Sequence, residues 1–278
     1  ISQMKKFRFK KKNRIINPNN LNKQKLKNDN INLVNVDIDL NSIVKKDTVT
    51  TNFYIKKCFE IAFKIIKDGS TNKLINGPIS KKKFLNKKYL GMTEYISKQF
   101  KIKNNAMLIY NKKLSVCPIT THLPLKSVTK MINKNIIIKK IKLIQEFYKK
   151  NFKLKPKIAV LGLNPHCESI DKFNEDEKII KPTINLIKKL GLKVSGPYPA
   201  DTIFLKHNRE KYDVIVGMYH DQVLTPLKTL YEYDAINITL GLPFLRISPD
   251  HGPNEKMVGQ NLSNPLSLKN ALKFLDKN

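Results

Sequence analysis

Three of the five histidines in this 278-residue chain sit in the same kind of place. His122 lies in TTHLPL, His166 in LNPHCES and His220 in MYHDQ, each just past an apolar run that reads as a strand. Imidazole is the commonest metal ligand. Three of them delivered to one sheet edge would make an open site, with positions left for water or substrate. Each could equally be a hydrogen-bonded structural residue at a strand end. Asp221, next to His220, could orient an imidazole or add an oxygen ligand. Cys167 reads as a small packing residue or a soft ligand. His207, in the polar stretch LKHNRE, reads as exposed, and His251, in SPDHGP, as a brace for a turn-rich loop.

A second set of residues suits an anionic ligand. Lys228 follows His220 by eight residues, Asn237 sits in INITLGLP, and Arg246 ends GLPFLR. A guanidinium directly after LPFL is costly to bury without an anion. Arg246 is therefore either half of a buried ion pair with a nearby Asp or a clamp on a carboxylate or phosphate. NGPIS (76–80) and GMTEY (91–95) read as strand-end loops, in which Thr93 offers a hydroxyl and Gly91 a close backbone approach.

The elements that must carry these residues follow from periodicity. Apolar residues recur at helical spacing from Phe53 to Lys67, closed by Gly69, and INLVNVDI (31–38) and KLIN (73–76) read as strands. AMLIY (106–110) and LSVCPIT (114–120) form a hairpin, and one long amphipathic helix fills much of 126–150. Strands then alternate with helices: IAVLGL (158–163), a helix over 176–190, DVIVGMY (213–219), AINITLGLP (235–243) and a last helix over 267–276. That alternation predicts an α/β fold with a largely parallel or mixed sheet, whose ligands bind beyond the carboxyl ends of the strands. There is no internal repeat and no GxGxxG, so a dinucleotide would not be held by the usual fingerprint.

Composition narrows the function classes. The formal charge of +31 invites a nucleic-acid partner. The basic residues are almost all lysine, however, with arginine only at positions 8, 14, 209 and 246, and bidentate phosphate and base recognition favours arginine. There is no Trp and no paired Cys/His spacing, so the charge reads as a bias on a solvated surface. No nucleic acid and no membrane are expected as partners, since no apolar run approaches a span. Three cysteines without a CxxC suit a reducing cytoplasm. Position 1 is Ile, so the chain reads as N-terminally incomplete.

The strings NGPISK, GMTE, TTHLPL, GLNPHCE, GPYPADTIF, MYHDQ, NITLGLPFLRIS and DHG, in this order, resemble the 4-hydroxythreonine-4-phosphate dehydrogenase family of vitamin B6 biosynthesis. The resemblance runs from about residue 75 to 260, and MYHDQ followed by NITLGLPFLR is its most specific part. It implies a fold like that of isocitrate and isopropylmalate dehydrogenases. Residues 1–278 would then form one such domain of two intertwined α/β subdomains around a cleft, working as a homodimer with a shared active site. It implies that His122, His166 and His220 bind one divalent metal (zinc first, magnesium or cobalt as alternatives), with ligands supplied by both partners. Thr93, Lys228, Asn237 and Arg246 match substrate-contacting positions. Lys228 and Asp221 are the candidate catalytic residues, Lys228 neutralising charge or moving a proton. The reaction implied is NAD-dependent oxidation of a phosphorylated hydroxy-amino acid with loss of CO2. Two alternatives stand beside it: a paralogue oxidising 4-phospho-threonate or erythronate, and a catalytically weakened scaffold. The chain departs from the family at Met92, where a substrate-contacting histidine is usual, and methionine cannot donate a hydrogen bond to phosphate. It departs again in ESIDKFNEDE (168–177) and PNEKMVGQ (253–260), and it lacks the family's N-terminal GEPAGIGP strand-loop.

Overall fold

The computed structural model describes residues 8–27, 29–38, 48–80, 84–85, 88–170, 173–253, 255–257 and 259–277. Parts of the two altered loops, residues 171–172, 254 and 258, lie outside that set. The chain divides into two compact units, one ending at Lys73 and one spanning Leu74–Asn278.

In the first unit β1 (Asn13–Ile15) runs parallel to β2 (Ile31–Leu33), with Asn13 opposite Ile31. The strand expected over 31–38 is thus only three residues long. A 3-10 turn follows β1 at Pro18–Lys23, capped by the Asn17 side chain. Helix α1 (Thr48–Lys67) confirms the apolar spacing seen in the sequence, and Phe59 and Phe63, four residues apart, pack their rings 5.4 Å apart.

The second unit is built on an eight-stranded sheet in the order β3-β10-β9-β4-β5-β8-β6-β7. The strands are β3 (Lys73–Ile75), β4 (Ala106–Tyr110), β5 (Ser115–Pro118), β6 (Ile158–Leu161), β7 (Val194–Tyr198), β8 (Val214–Gly217), β9 (Ile236–Leu240) and β10 (Leu245–Pro249). β5, β8, β6 and β7 are mutually parallel, whereas β4 pairs antiparallel with β5 and β9, and β9 with β10. The sheet is mixed and the fold is α/β, as the alternation of elements required.

Both faces of the central strands are buried, and side chains alternate between them. Leu108, Cys117, Ile158, Val160, Val214 and Val216 enter one apolar cluster with Ile137, Ile141 and Ile144. Met107, Ile109, Val116, Ala159, Leu161 and Ile215 enter the other with Val223, Leu224 and Leu227. A near-continuous apolar run such as IAVL is what such a strand needs.

Several elements differ from expectation, each for a local reason. The motif GMTEY is not a loop throughout. Gly91 is the extended residue before α2 (Met92–Gln99), which buries Met92, Tyr95 and Ile96 at helical spacing. The helix expected over 126–150 is two: α3 (Leu125–Met131) ends at an extended Ile132, and the Asn133 side chain accepts from the Ile136 N–H to start α4 (Lys134–Phe152). Over 176–190 a π-helical turn at Asp176–Ile180 precedes α5 (Lys181–Lys189), next to Pro182, which has no N–H to continue a regular ladder. The segment 235–243 stops as a strand at Leu240, and a turn leads back into β10. β7, which is not among the strands expected from the sequence, contains Gly196-Pro197, tolerated because β7 is a sheet edge. Helix α6 (His220–Tyr231) contains Pro226, which hid it, and α7 (Leu266–Lys277) closes the chain. No described helix is long and apolar enough to cross a membrane.

The fully buried Ile144 tests which face of α4 holds the core. Ile144→Ala is expected to cost about 2–5 kcal/mol in urea unfolding, and Lys142→Ala, on the exposed side, about 0.5 kcal/mol or less. Equal losses would show that α4 does not pack as described.

Candidate active site

Because β5, β8 and β6 are neighbours and parallel, their carboxyl ends lie on one edge of the sheet. His122 follows β5 by four residues, His166 follows β6 by five, and His220 opens α6 three residues after β8. Within the chain the first and third meet, with ring centroids 5.7 Å apart and both rings lining a cleft of about 250 Å³. His166 does not line that cleft. Its side chain is exposed, and it and Cys167 hold left-handed backbone, at φ 56° and 63°. Two successive non-glycine residues in that region are strained, a state that persists only where the surroundings enforce it. Asp176, fully buried, does so: Leu163 N–H donates to its Oδ1 (2.7 Å), and both the Asn164 N–H and Asn164 Nδ2 donate to its Oδ2 (3.0 Å).

The first turn of α6 arranges one wall of the cleft. His220, Leu224 and Lys228 are spaced by four, so they share one helical face, and all three line the cleft. Asp221 Oδ1 lies 2.6 Å from His220 Nδ1, which engages that nitrogen and leaves Nε2 as the ring atom open to a ligand. Lys228 Nζ pairs with Asp250 Oδ2 at 2.6 Å and also donates to the Asp250 carbonyl. Burial pushes the Asp250 carboxyl up, and the Lys228 ammonium opposes that shift.

The floor comes from the antiparallel strands. Arg246 stands opposite Thr239 and Ser248 opposite Asn237, so these four side chains share one sheet face. Arg246 is 2% exposed. Its Nε donates to Asn76 Oδ1 (2.8 Å) and one terminal nitrogen donates to Thr239 Oγ1 (3.0 Å). Both partners are neutral, and among the described residues no carboxylate pairs with it. The Asp ion pair considered from the sequence is therefore not formed among those residues. Burial lowers the guanidinium pKa to about 10, and the charge of Glu94 works in the other direction. Thr93, 5% exposed, has its hydroxyl 3.4 Å from that of Thr239, and Asn237 Oδ1 is buried without a hydrogen-bond partner. Met92 lines the same cleft.

Chemically, the cleft offers a buried cation, hydroxyl and amide groups, a lysine paired to a carboxylate, and two imidazoles. Among the described residues no group of three His, Cys, Asp or Glu is close enough to hold a metal ion. One chain thus brings together two of the three histidines singled out in the sequence, along with Thr93, Lys228, Asn237 and Arg246. Cys167 is half-buried, its thiol pushed up to about 11 by burial and by Asp176, so it is no ready thiolate. His207 is exposed, and His251 is exposed at the cleft's rim.

Sequence reasoning missed four residues. Asp250 was within DHG, Glu94 within GMTE, Asn76 within NGPIS and Asp176 within an altered loop. Glu94 accepts from Thr121 Oγ1 (3.2 Å), and its other oxygen is buried without a hydrogen-bond partner. A Cβ on Gly91 would sit 2.8 Å from that oxygen and 2.8 Å from His122 Cε1, so a larger residue there must displace the Glu94 carboxylate or the His122 ring.

These features define a mixed α/β protein with a polar cleft, floored by a buried guanidinium, at the carboxyl edge of its parallel strands. The solved structure of a 4-hydroxythreonine-4-phosphate dehydrogenase from Klebsiella pneumoniae shares the fold, with a TM-score of 0.74 and 27% identity over 96% of this chain and 83% of that one. The chain belongs to the family described as pyridoxal phosphate biosynthetic protein PdxA, whose family model matches residues 2–275. It is 40% identical over 249 residues to a 4-hydroxythreonine-4-phosphate dehydrogenase of Sulfurihydrogenibium sp. (strain YO3AOP1), covering 88% of this chain and 75% of that protein. It is 36% identical over 199 residues to a D-threonate 4-phosphate dehydrogenase of Pectobacterium atrosepticum, covering 70% of this chain and 61% of that protein. Relatives named as dehydrogenases make this an oxidoreductase family.

Gly91→Ala is expected to lower stability by about 1–3 kcal/mol and to shift the His122 ring resonances in NMR spectra. Gly77→Ala, where an added Cβ meets nothing within 4 Å, should be neutral within about 0.5 kcal/mol. Unmoved His122 resonances in Gly91→Ala would refute the close packing at that point.

Proposed function

We propose that this chain is a 4-hydroxythreonine-4-phosphate dehydrogenase, oxidising 4-phosphohydroxy-L-threonine with NAD and releasing CO2 to leave 3-amino-2-oxopropyl phosphate. The observation that carries the reading is Arg246: a guanidinium buried among neutral partners, on the floor of a cleft that also holds two histidines. A buried cation with no ion-paired carboxylate among the described residues suits an anion from the ligand, and a phosphate or carboxylate supplies it.

In this reading Arg246, Thr93 and Asn237 bind and orient the anionic substrate. Leu224, Met107 and Met92 exclude water from one side of it. Lys228, held by Asp250, neutralises charge that develops during oxidation and carries a proton to the carbon that loses CO2. The donor set fits a divalent ion in part. His122 and His220 would hold it from one chain, with Asp221 fixing the His220 ring, and zinc is the first candidate, then magnesium or cobalt. Such an ion would supply Lewis acidity toward the substrate's hydroxyl and carbonyl oxygens. The exposed His166, outside its own chain's cleft, is read as the ligand given to a second copy, in a cytoplasmic homodimer with shared sites.

A second reading has one specific observation in its favour. Met92 in the cleft cannot hydrogen-bond a phosphate, and one relative is named for D-threonate 4-phosphate, so a phosphorylated threonate or erythronate is the alternative substrate.

Purified protein, supplied with each metal in turn, should form NADH with 4-phosphohydroxythreonine faster than with 4-phospho-threonate or 4-phospho-erythronate; the opposite order would establish the second reading. Turnover with none of the three would overturn both. His166→Ala and His220→Ala should each be inactive alone. Mixed in equal amounts after dissociation they should recover about a quarter of wild-type activity, since half the dimers then carry one intact site. No recovery would refute the sharing of His166.

A further inference from the structure

Gln222 is 9% exposed, lies two residues into α6 beyond His220, and is claimed by neither the cleft nor the core. Its side-chain amide spans two strand ends. The Met218 N–H donates to its Oε1 (2.7 Å), and its Nε2 donates to the Gly162 carbonyl (2.7 Å). Met218 immediately follows β8, on the way to His220, and Gly162 immediately follows β6, on the way to His166. A donor on one side and an acceptor on the other fix the amide's orientation, because only a group with both functions satisfies the two backbone partners.

The same loop is tied on its other side. Thr120 Oγ1 donates to the Met218 carbonyl (2.7 Å), and the Thr120 N–H donates to that oxygen as well (3.1 Å), two residues before His122. The approach is tight, since a Cβ on Gly217 would lie 2.9 Å from Gln222 Oε1. The Thr120, Met218, Gln222 and Gly162 bonds thus form one continuous run across the ends of β5, β8 and β6. Gln222 is the only side chain in that run bonded to both the His220 loop and the His166 loop. Both of its partners are backbone groups at buried strand ends, where an unmet hydrogen bond costs about 1–3 kcal/mol.

We infer that Gln222 is a positioning residue, whose amide sets the His166 loop against the His220 loop and so fixes where the two imidazoles are presented. The inference rests on the reading of those histidines as metal ligands only for its effect on metal binding, not for the bracing itself. Outer partners of this kind typically shift metal affinity by about 10–100-fold.

The test uses the full chain with Gln222→Met, which removes both bonds, and Gln222→Glu, which can still accept from Met218 but cannot donate to Gly162. Amide hydrogen exchange, read by peptide mass spectrometry on metal-free protein, should speed up about tenfold or more over 162–167 in both variants. Over 218–221 it should speed up only in Gln222→Met. Peptides from Ile137–Ile144 should be unchanged and serve as the internal reference. Titration with Co²⁺ should show binding about 10–100-fold weaker and an altered ligand-field spectrum in both variants. Exchange over 162–167 that stays at the wild-type rate, or that rises equally in the reference peptides, overturns the inference. So does Co²⁺ binding by the variants that matches the wild type in affinity and spectrum. Wild-type protein that binds no Co²⁺ overturns the metal reading alone, and the exchange comparison still decides the role of Gln222.

Discussion

The candidate site depends on the burial of β5, β8 and β6 on both faces. Their side chains alternate between two apolar clusters, each packed under helices. A slip of one residue in any of these strands would move its whole set to the opposite cluster, so the register has no near-degenerate alternative. With the register fixed, the three carboxyl ends are fixed too, and histidines only three to five residues past their strands have little freedom in where they are presented. The strained backbone at His166 and Cys167 persists for that reason: Asp176 and the strand end together over-determine it.

Charge within the cleft follows a different logic from charge on the surface. The formal +31 belongs almost wholly to lysines, and exposed charges are screened over a Debye length of about 8 Å at physiological salt. One guanidinium buried beside Thr239 and Asn76 acts through a much lower effective dielectric, so it governs the local field more than many exposed lysines do. Burial lowers the guanidinium pKa, and Glu94 opposes that shift through its field without forming an ion pair with it. Lys228 is balanced by Asp250 at ion-pair distance, whereas Arg246 has no ion-paired carboxylate among the described residues.

Most of the framework was legible in the sequence because its strands are short apolar runs ended by Gly, Pro or Asn, and those signals are local. The hidden elements share a cause. β7 carries Gly-Pro, α6 carries Pro226 and α2 begins at a glycine-led motif; in each, tertiary packing outweighs a local breaker. The long helix expected over 126–150 divides at Asn133 because a side-chain cap there satisfies the N–H of Ile136, which periodicity does not register. Asp250, Asn76 and Glu94 went unread because their significance lies in partners 22 to 170 residues away or in a gap left by a glycine.

By itself the sequence determined which residues could do chemistry and that three histidines would follow strands. Residue type sets ligand chemistry, and the period of apolar residues sets the local element. Only the tertiary structure decided which strand ends become neighbours. The order β9-β4-β5-β8-β6-β7 pairs segments up to about 130 residues apart, a choice made by the packing of whole faces rather than by any local pattern. That choice brings His122 to His220, sets Arg246 among neutral groups, and leaves His166 on the outside of its own chain's cleft.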